Sequence, residues 1–549
     1  MVELNTMKGT GSGGFGGTLR TLLGRGGGAA AAKHAARLNA QEGDLVPGEA
    51  GRGNAILSNE YEFAGQAISS PEGAPWGNQG PGPAWFAALH GFGWLRDLRA
   101  VATPNARARA RELVLGWIER AAGLPPAAHA PAITGARLAA WLVNQELLTR
   151  DADDAFVRRF QQSLNLQVKQ LLKGYRRADD GADRLAALKG LIYSGIAMAD
   201  GERRLGQALK SLDAELTRQV LPDGVHAERS PSVQLAVLRD LIDLRAVLIA
   251  AHQEPPPSLQ LSIDRMAPML RGLRHGDGGL ALFNDSVEEE PWLIDRVLGQ
   301  AEAKGRPLSD ARHGGFQRVQ AGRALLIMDA GAPPSIGRRA HAGTLSFELS
   351  VGKERMIVNC GAWRGPDSQW AHALRATAAH STLTVDDTNS AVILDEGGIG
   401  VGPGKVEAAR EESNGAIWIE ARHDGYVQPF GLVHQRRLYV AADGNDIRGE
   451  DKLIRHGGSG RTGRAFAVRF HLHPEAQASL VQNGASVLLR LPGGAGWQLH
   501  AAGGTLDLNE SVYAGRAGER RRTEQVVITG PVGAEETVVK WAFRRIPKG

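Results

Sequence analysis

The sequence predicts two unlike domains in series: helices wound as a bundle or toroid, then an antiparallel β-sandwich. Three observations carry that expectation. From about residue 84 to 272, apolar residues recur at intervals of three and four. From about 313 onward they alternate every second residue. Between these blocks lies a glycine-punctuated segment, His275–Asp285 (HGDGGLALFND). A period near 3.6 buries one face of a helix and a period of two buries one face of a strand, so the switch marks separate domains.

Residues 1–50 read as a flexible, Gly-rich leader. Gly9, Gly11, Gly13, Gly14, Gly16 and Gly17 superficially suggest a phosphate loop, but no strand precedes them and no Gly-Lys-Ser/Thr follows. Residues 51–275 form the helical block. Leu164, Val168, Leu171, Leu172 and Tyr175 define one apolar face, and Leu205, Leu209, Leu212, Leu216 and Val220 another. Ser230 and Pro231 make a helix start: an N-cap hydroxyl, then a proline whose missing N–H costs nothing. Leu235, Leu238, Leu241, Ile242 and Leu248 line the helix behind them. Residues 276–312 read as a linker and 313–549 as the sandwich. There Leu345, Phe347, Leu349 and Val351 alternate with Ser346, Glu348 and Ser350, and Leu383 and Val385 alternate with polar neighbours. Further strands are expected at Ile417–Glu420, Arg437–Val440, Val487–Leu491, Gln525–Thr529 and Thr537–Phe543.

A net charge of +5 and an isoelectric point near 9.3 favour a polyanionic partner. No basic-and-aromatic platform is visible, so nucleic acid is not the expected polyanion. The single cysteine, Cys360, rules out a disulfide framework and a Cys-based zinc site, and reads as a small buried hydrophobe. No run reaches transmembrane length and no signal-peptide core is visible, which reads as cytoplasmic. The sequence leaves a homodimer open.

Six stretches then combine. They are Trp85–Leu98 (WFAALHGFGWLRDL), Leu221–Pro231 (LPDGVHAERSP), His341–Leu349 (HAGTLSFEL), Val358–Gly361 (VNCG), Arg375–Asp387 (RATAAHSTLTVDD) and Phe470–Pro474 (FHLHP). In order and spacing, over roughly residues 55 to 545, the chain resembles the bacterial heparinase II/III-like polysaccharide lyases. The resemblance implies an α/α toroid packed against a β-sandwich, an acidic polysaccharide bound in the cleft between them, and a periplasmic or cell-envelope setting as the alternative to the cytoplasm. It also implies β-elimination at a uronic acid. That reaction needs a group to neutralise the carboxylate, a base for the C5 proton and an acid for the leaving oxygen. The family draws an Asn or His and a Tyr from the toroid and a His from the sandwich, beside a metal, often zinc, held by His, Asp and His.

Carried over position by position, His341 and His380 stand at the two metal-binding histidines and Asn359 at the aspartate. An amide replaces an anionic ligand there, which weakens a site for zinc or another divalent metal. Arg339 stands where the catalytic His is expected; it cannot act as a conventional base but can grip a uronate carboxylate. Val233 and Gln234 replace a Tyr-His pair, and Asp183 and Arg184 occupy the region of an Asn-His pair.

The remaining candidates have two readings each. His341 and His380 serve as base or metal ligands, or as a hydrogen-bonded pair. His226, a third candidate base, lines the cleft with Glu228 and Arg229, or Glu228 simply favours a helix dipole. Trp85 is a candidate sugar platform, whereas Trp94, Trp117 and Trp141 read as core. Tyr426 is the phenol best placed to replace the missing acid, ahead of Tyr193. His471 and His473 read as packing residues. Two functions follow: a lyase acting on a uronate-containing glycan, or a catalytically degenerate glycan-binding or envelope-assembly protein on the same scaffold.

Overall fold

Proline starts many of the helices that open the chain. These are α1 (Ala50–Leu57), α2 (Pro83–Gly91), α3 (Leu95–Val101), α4 (Pro104–Arg120), α5 (Pro131–Val143) and α6 (Gln145–Thr149). Then come α7 (Asp154–Gly174), α8 (Ala182–Ala197), α9 (Glu202–Gln219), α10 (Pro231–Ala250), α11 (Pro257–Gly272) and α12 (Pro291–Ala301). A proline in the first turn leaves no backbone bond unmade and brings a φ that is already helical. The structure, a computed structural model, describes residue 38 and residues 43–457 and 464–547. The glycine run at 9–17 lies outside the described residues.

The helices form an incomplete α/α toroid around one apolar core. α8 sits at its centre, against α5, α7, α9 and α10, and is buried almost throughout from Leu185 to Ala197. Trp94, Trp117 and Trp141 belong to this core, as expected. At the edge of the expected leader, residues 43–49 are fastened. Tyr193 donates to the Gly43 carbonyl at 2.8 Å, Asp44 pairs with Arg96 at 3.2 Å, and Glu49 N–H donates to Asp97 at 2.9 Å. The expected linker is also not a bare connection. Ile294, Val297, Leu298 and Ala301 give α12 an apolar face that closes the helical core. No helix among the described residues is long and apolar enough to cross a membrane.

β1 (Glu60–Phe63) and β2 (Gln66–Ser69) form a hairpin within the toroid. The sandwich begins with β3 (Asp310–Ala311), β4 (Phe316–Ala321), β5 (Ala324–Asp329), β6 (Phe347–Val351), β7 (Glu354–Val358) and β8 (Leu383–Val385). Next come β9 (Val406–Ser413), β10 (Ala416–His423), β11 (Leu432–Val440), β12 (Asp446–Arg455) and β13 (Ala465–Leu472). It ends with β14 (Gln477–Val481), β15 (Ser486–Arg490), β16 (Gly496–Ala502), β17 (Thr505–Tyr513), β18 (Arg521–Pro531) and β19 (Glu536–Arg545). One sheet runs β17-β18-β13-β7-β6-β5-β4-β3, with β8 on β13; the other runs β14-β15-β16-β19-β12-β11-β10-β9. The pairings are antiparallel. Every strand expected from the two-residue period is present.

Between the sheets, Phe347 of β6 stacks on Trp541 of β19 at 5.6 Å. Burying such side chains stabilises by roughly 1.5–3 kcal/mol each. Trp541 lies flat against Gly449, where a Cβ would come within 2.0 Å of the indole. Beside it Asp451 is buried and ionised. It accepts from Arg436 at 2.7 and 3.1 Å, from His434 at 2.8 Å and from Trp541 at 2.8 Å. Burial alone would raise its pKa, but Arg436 and His434 hold it far below the carboxylate range.

β6 departs from simple alternation, because its polar face is buried too. That face meets the toroid: His275 binds Glu348 at 2.9 Å and Ser350 at 2.8 Å. The same junction holds Arg355 against Asp277 at 2.7 Å. Arg229, from the turn before α10, reaches across to Gly314 and Ala332 carbonyls at 2.7 and 2.6 Å and pairs with Asp329.

Candidate functional site

The site lies where the turn before α10 meets the segment before β6. Ser230 caps α10 through the Val233 N–H, and Pro231 follows, so the helix starts where the sequence places it. This stop forces residues 226–229 into a tight turn closed by Arg229 N–H on the His226 carbonyl at 2.7 Å, with Arg229 at φ 52°. Glu228 then points into the junction. Its carboxylate lies against two glycines, Gly181 of the toroid and Gly337 of the sandwich; a Cβ at either would come within 2.4 Å of it. Ala182 N–H donates to one oxygen at 2.8 Å and Arg339 to the other at 3.1 Å.

Arg339 is held by acid on three sides. It contacts Glu228, Asp183 at 3.2 Å and Asp285 at 4.0 Å. Burial would lower its pKa, but the three carboxylates raise it, so it stays a cation. Burial raises the Glu228 pKa, and Arg339 offsets this only in part. The expected alignment near Asp183 and Arg184 divides: Asp183 is in the cluster, while Arg184 pairs with Glu215 at 3.2 Å.

His341 and His380 do come together, with Nδ1 and Nε2 3.2 Å apart and the rings edge to face. Their partners fix the tautomers. Asp285 N–H donates to His341 Nε2 at 2.9 Å, so Nδ1 carries the proton and donates to His380. His380 Nδ1 in turn donates to the Ala376 carbonyl at 2.8 Å. Both rings are buried and neutral. Burial lowers the His380 pKa to about 4, and burial with His380 and Arg375 nearby takes His341 well below its ordinary value. Asn359 accepts Ser381 N–H through Oδ1 at 3.0 Å, which leaves its Nδ2, a donor, buried without a partner.

As arranged, these three residues do not fit a divalent cation. Each imidazole lone pair already accepts a hydrogen bond, and the free end of Asn359 is a donor rather than a ligand. Among the described residues no cluster of three His, Cys, Asp or Glu has metal-holding geometry.

Four other expectations are corrected. His226 is fully buried; Nε2 donates to Gln219 at 3.0 Å and Nδ1 accepts from Glu228 N–H at 3.2 Å. Burial, then Arg339, lowers its pKa to about 3, and it has no lone pair for a substrate proton. Arg229 is buried, and its guanidinium is committed to Asp329 and the Gly314 and Ala332 carbonyls. Trp85 is buried, donating to the Tyr61 carbonyl at 3.2 Å, because its face of α2 packs into the toroid core. Tyr426 is buried too, donating to the Leu383 carbonyl at 2.9 Å, with burial raising its pKa. None of the six tyrosines binds the Arg339 cluster, and the one whose hydroxyl reaches the domain junction, Tyr513, is buried and donates to Glu288. Tyr61, Tyr193 and Tyr513 are buried, Tyr175 binds Ser211 on the toroid, and Tyr439 packs on Trp418 of the outer sheet face. Cys360 is buried beside His471, its thiol pushed up to about 12 by burial.

Sequence reasoning missed several residues here. Asn284 stitches the domains by accepting His341 N–H and donating to the Arg229 carbonyl, both at 3.0 Å. Arg364 donates to the Asp285 carbonyl at 2.7 Å. Next to it Arg520 is sandwiched between Trp363 and Trp370, 4.5 and 4.8 Å from the ring centroids, with no carboxylate partner among the described residues. An Asn-Asp pair ending an apolar run is a turn signal that pointed to 284–285. Nothing local marked Arg520.

Residues 137–303 match the heparinase II/III N-terminus, and residues 303–542 match the heparinase II/III-like C-terminal family. The FtsZ-localized protein C of Caulobacter vibrioides is 32% identical over 525 residues, covering 92% of this chain and 90% of that protein. A heparin-sulfate lyase of Pedobacter heparinus is 22% identical over 276 residues, covering 43% and 40%. A crystal structure of heparinase III superposes with a TM-score of 0.76 at 13% identity, covering 94% of this chain and 88% of the other. The heparan sulfate lyase HepC of Pedobacter heparinus, in a mutant form, superposes at 0.64 with 18% identity, covering 91% and 83%.

Proposed function

The chain belongs to the heparinase II/III-like family, and on that premise we propose that it binds an acidic glycan without cleaving it, as an envelope-assembly protein on a lyase scaffold. The observation that carries this reading is Arg339. It occupies the position of the expected base, and its charge is matched by Glu228, Asp183 and Asp285. A guanidinium so placed neither takes the C5 proton nor is free to neutralise a uronate. The other candidate bases and the candidate acid support the same reading. The histidine lone pairs are engaged within the protein, and the phenol nearest the domain junction, Tyr513, is buried with its proton committed to Glu288.

Glycan binding is supported by an exposed arginine held against two indoles on the sandwich. Arg520 presents a guanidinium edge between two half-exposed indoles, suited to a carboxylate on a sugar ring stacked beside it. The name of the FtsZ-localized relative ties that protein to FtsZ; carried across, it supports a role in assembly over degradation.

The test is ultraviolet absorbance during incubation with heparan sulfate, heparin, alginate, chondroitin and hyaluronan, with and without zinc, alongside calorimetric titration of the same polymers. β-Elimination leaves an absorbing C4–C5 double bond. Binding of one polymer with flat absorbance, weakened in Arg520→Ala, is expected. Rising absorbance that disappears in His341→Ala or His380→Ala would establish the lyase reading instead.

A further inference from the structure

On the toroid, α7, α8 and α9 enclose a cavity of about 510 Å³, within the size range of ligand pockets. None of its lining residues bonds to the Arg339 cluster. Its charge is of one sign: Lys173, Arg176, Arg204 and Lys210 line it, and no Asp or Glu does.

Three other arginines on the same helices are paired with carboxylates. Arg159 meets Glu119, Arg184 meets Glu215, and Arg218 meets Asp180 and Glu215. Lys173, Arg176, Arg204 and Lys210 make no ion pair among the described residues. Arg204 donates once, to the Ser194 carbonyl at 2.7 Å, and its buried Nε has no partner. Two hydroxyls join the cations. Tyr175 accepts from Arg176 Nε at 3.0 Å and lies 3.2 Å from Ser211 Oγ. Burial would raise the Tyr175 pKa, but the bonds to Ser211 and Arg176 lower it.

Asp200 acts on Arg204 from a distance, but none of the four cations forms an ion pair among the described residues, so an anion entering the cavity would meet uncommitted positive charge. A metal cation is excluded by the same field. The space exceeds a single oxyanion, and Leu191 and Ala208 give it a small apolar wall. We propose that this cavity binds a phosphate-bearing ligand, its anionic group held by Lys173, Arg176, Arg204 and Lys210 with hydroxyl donation from Ser211. The proposal stands independently of the glycan reading. Its phosphate comes from a soluble molecule or a lipid headgroup, which share this chemistry.

The experiment uses the full chain. Inorganic pyrophosphate is titrated calorimetrically, and flotation is measured with vesicles of phosphatidylglycerol in phosphatidylcholine against phosphatidylcholine alone. The test variants are Lys173→Glu with Lys210→Glu, both exposed, and Arg204→Gln. The control, Arg437→Glu with Arg448→Glu, makes the same charge change on the sandwich. Pyrophosphate binding weakened about tenfold or more in the pocket variants and unchanged in the control is expected. Flotation with the anionic vesicles, competed by pyrophosphate, would identify a headgroup; pyrophosphate binding alone would identify a soluble ligand. If neither probe binds, or the control loses as much as the pocket variants, the proposal is overturned.

Discussion

Replacing Arg339 with methionine keeps most of the aliphatic stem and removes the charge that Glu228 faces. Breaking a buried ion pair from one side costs about 3–5 kcal/mol. Arg339 is 37% exposed, so water compensates in part, and a loss of about 2 kcal/mol is expected. The loss should depend on pH, and its sign follows from Glu228. Burial already raises the pKa of this carboxyl, and Arg339 opposes the rise. Without Arg339 the folded pKa climbs further above the unfolded value. A group of that kind contributes fully below its unfolded pKa, and the contribution is lost as pH rises through the folded one. Arg339→Met should therefore be least destabilised near pH 5 and most near pH 8, read as urea midpoints by circular dichroism. In a Glu228→Gln background the same substitution should cost much less. A wild-type midpoint at both pH values, or an equal loss in the Glu228→Gln background, would refute the reasoning.

Three further outcomes are expected. Gly449→Ala drives a Cβ to within 2.0 Å of Trp541 and should lower stability by about 1–3 kcal/mol in urea titration, with the strand content of the circular dichroism spectrum retained. Burial lowers the His380 pKa from an ordinary 6.5 to about 4, so its share of stability is complete above 6.5 and lost as pH falls toward 4; His380→Gln should flatten that part of the stability–pH curve by up to roughly 3 kcal/mol. Added zinc should not raise the melting temperature; a rise that His380→Ala abolishes would show that the histidine pair opens to a metal after all.

Much of the architecture was legible because it rests on periodicity. The helix cap at Ser230 and Pro231, the burial of Trp94, Trp117 and Trp141, and strands β6, β8, β10, β11, β15, β18 and β19 were read from local pattern. β6 shows the limit. Its alternation located the strand but said nothing of what covers the polar face, which is His275 from another domain. The site divides in the same way. Motif matching brought Arg339, Glu228, His341 and His380 to one place. It could not show that their hydrogen-bonding capacity was already spent, because tautomers and ion pairs are set by partners distant in sequence, such as Asp285 and Asp183. Trp85 and Tyr426 failed for a simpler reason: an aromatic ring satisfies a core as well as it satisfies a ligand.

The Arg229 clamp has a consequence for timing. It spans the two domains with contacts to Asp329, Gly314 and Ala332. In many enzymes a lid or domain must open to release product. A receptor has no product to release. Jaws fixed in one position present their rim ready-shaped, which spares the entropy of closing on each encounter and favours long residence over rapid exchange. The clamp thus accords with the binding role proposed above, in which a glycan is held and not turned over.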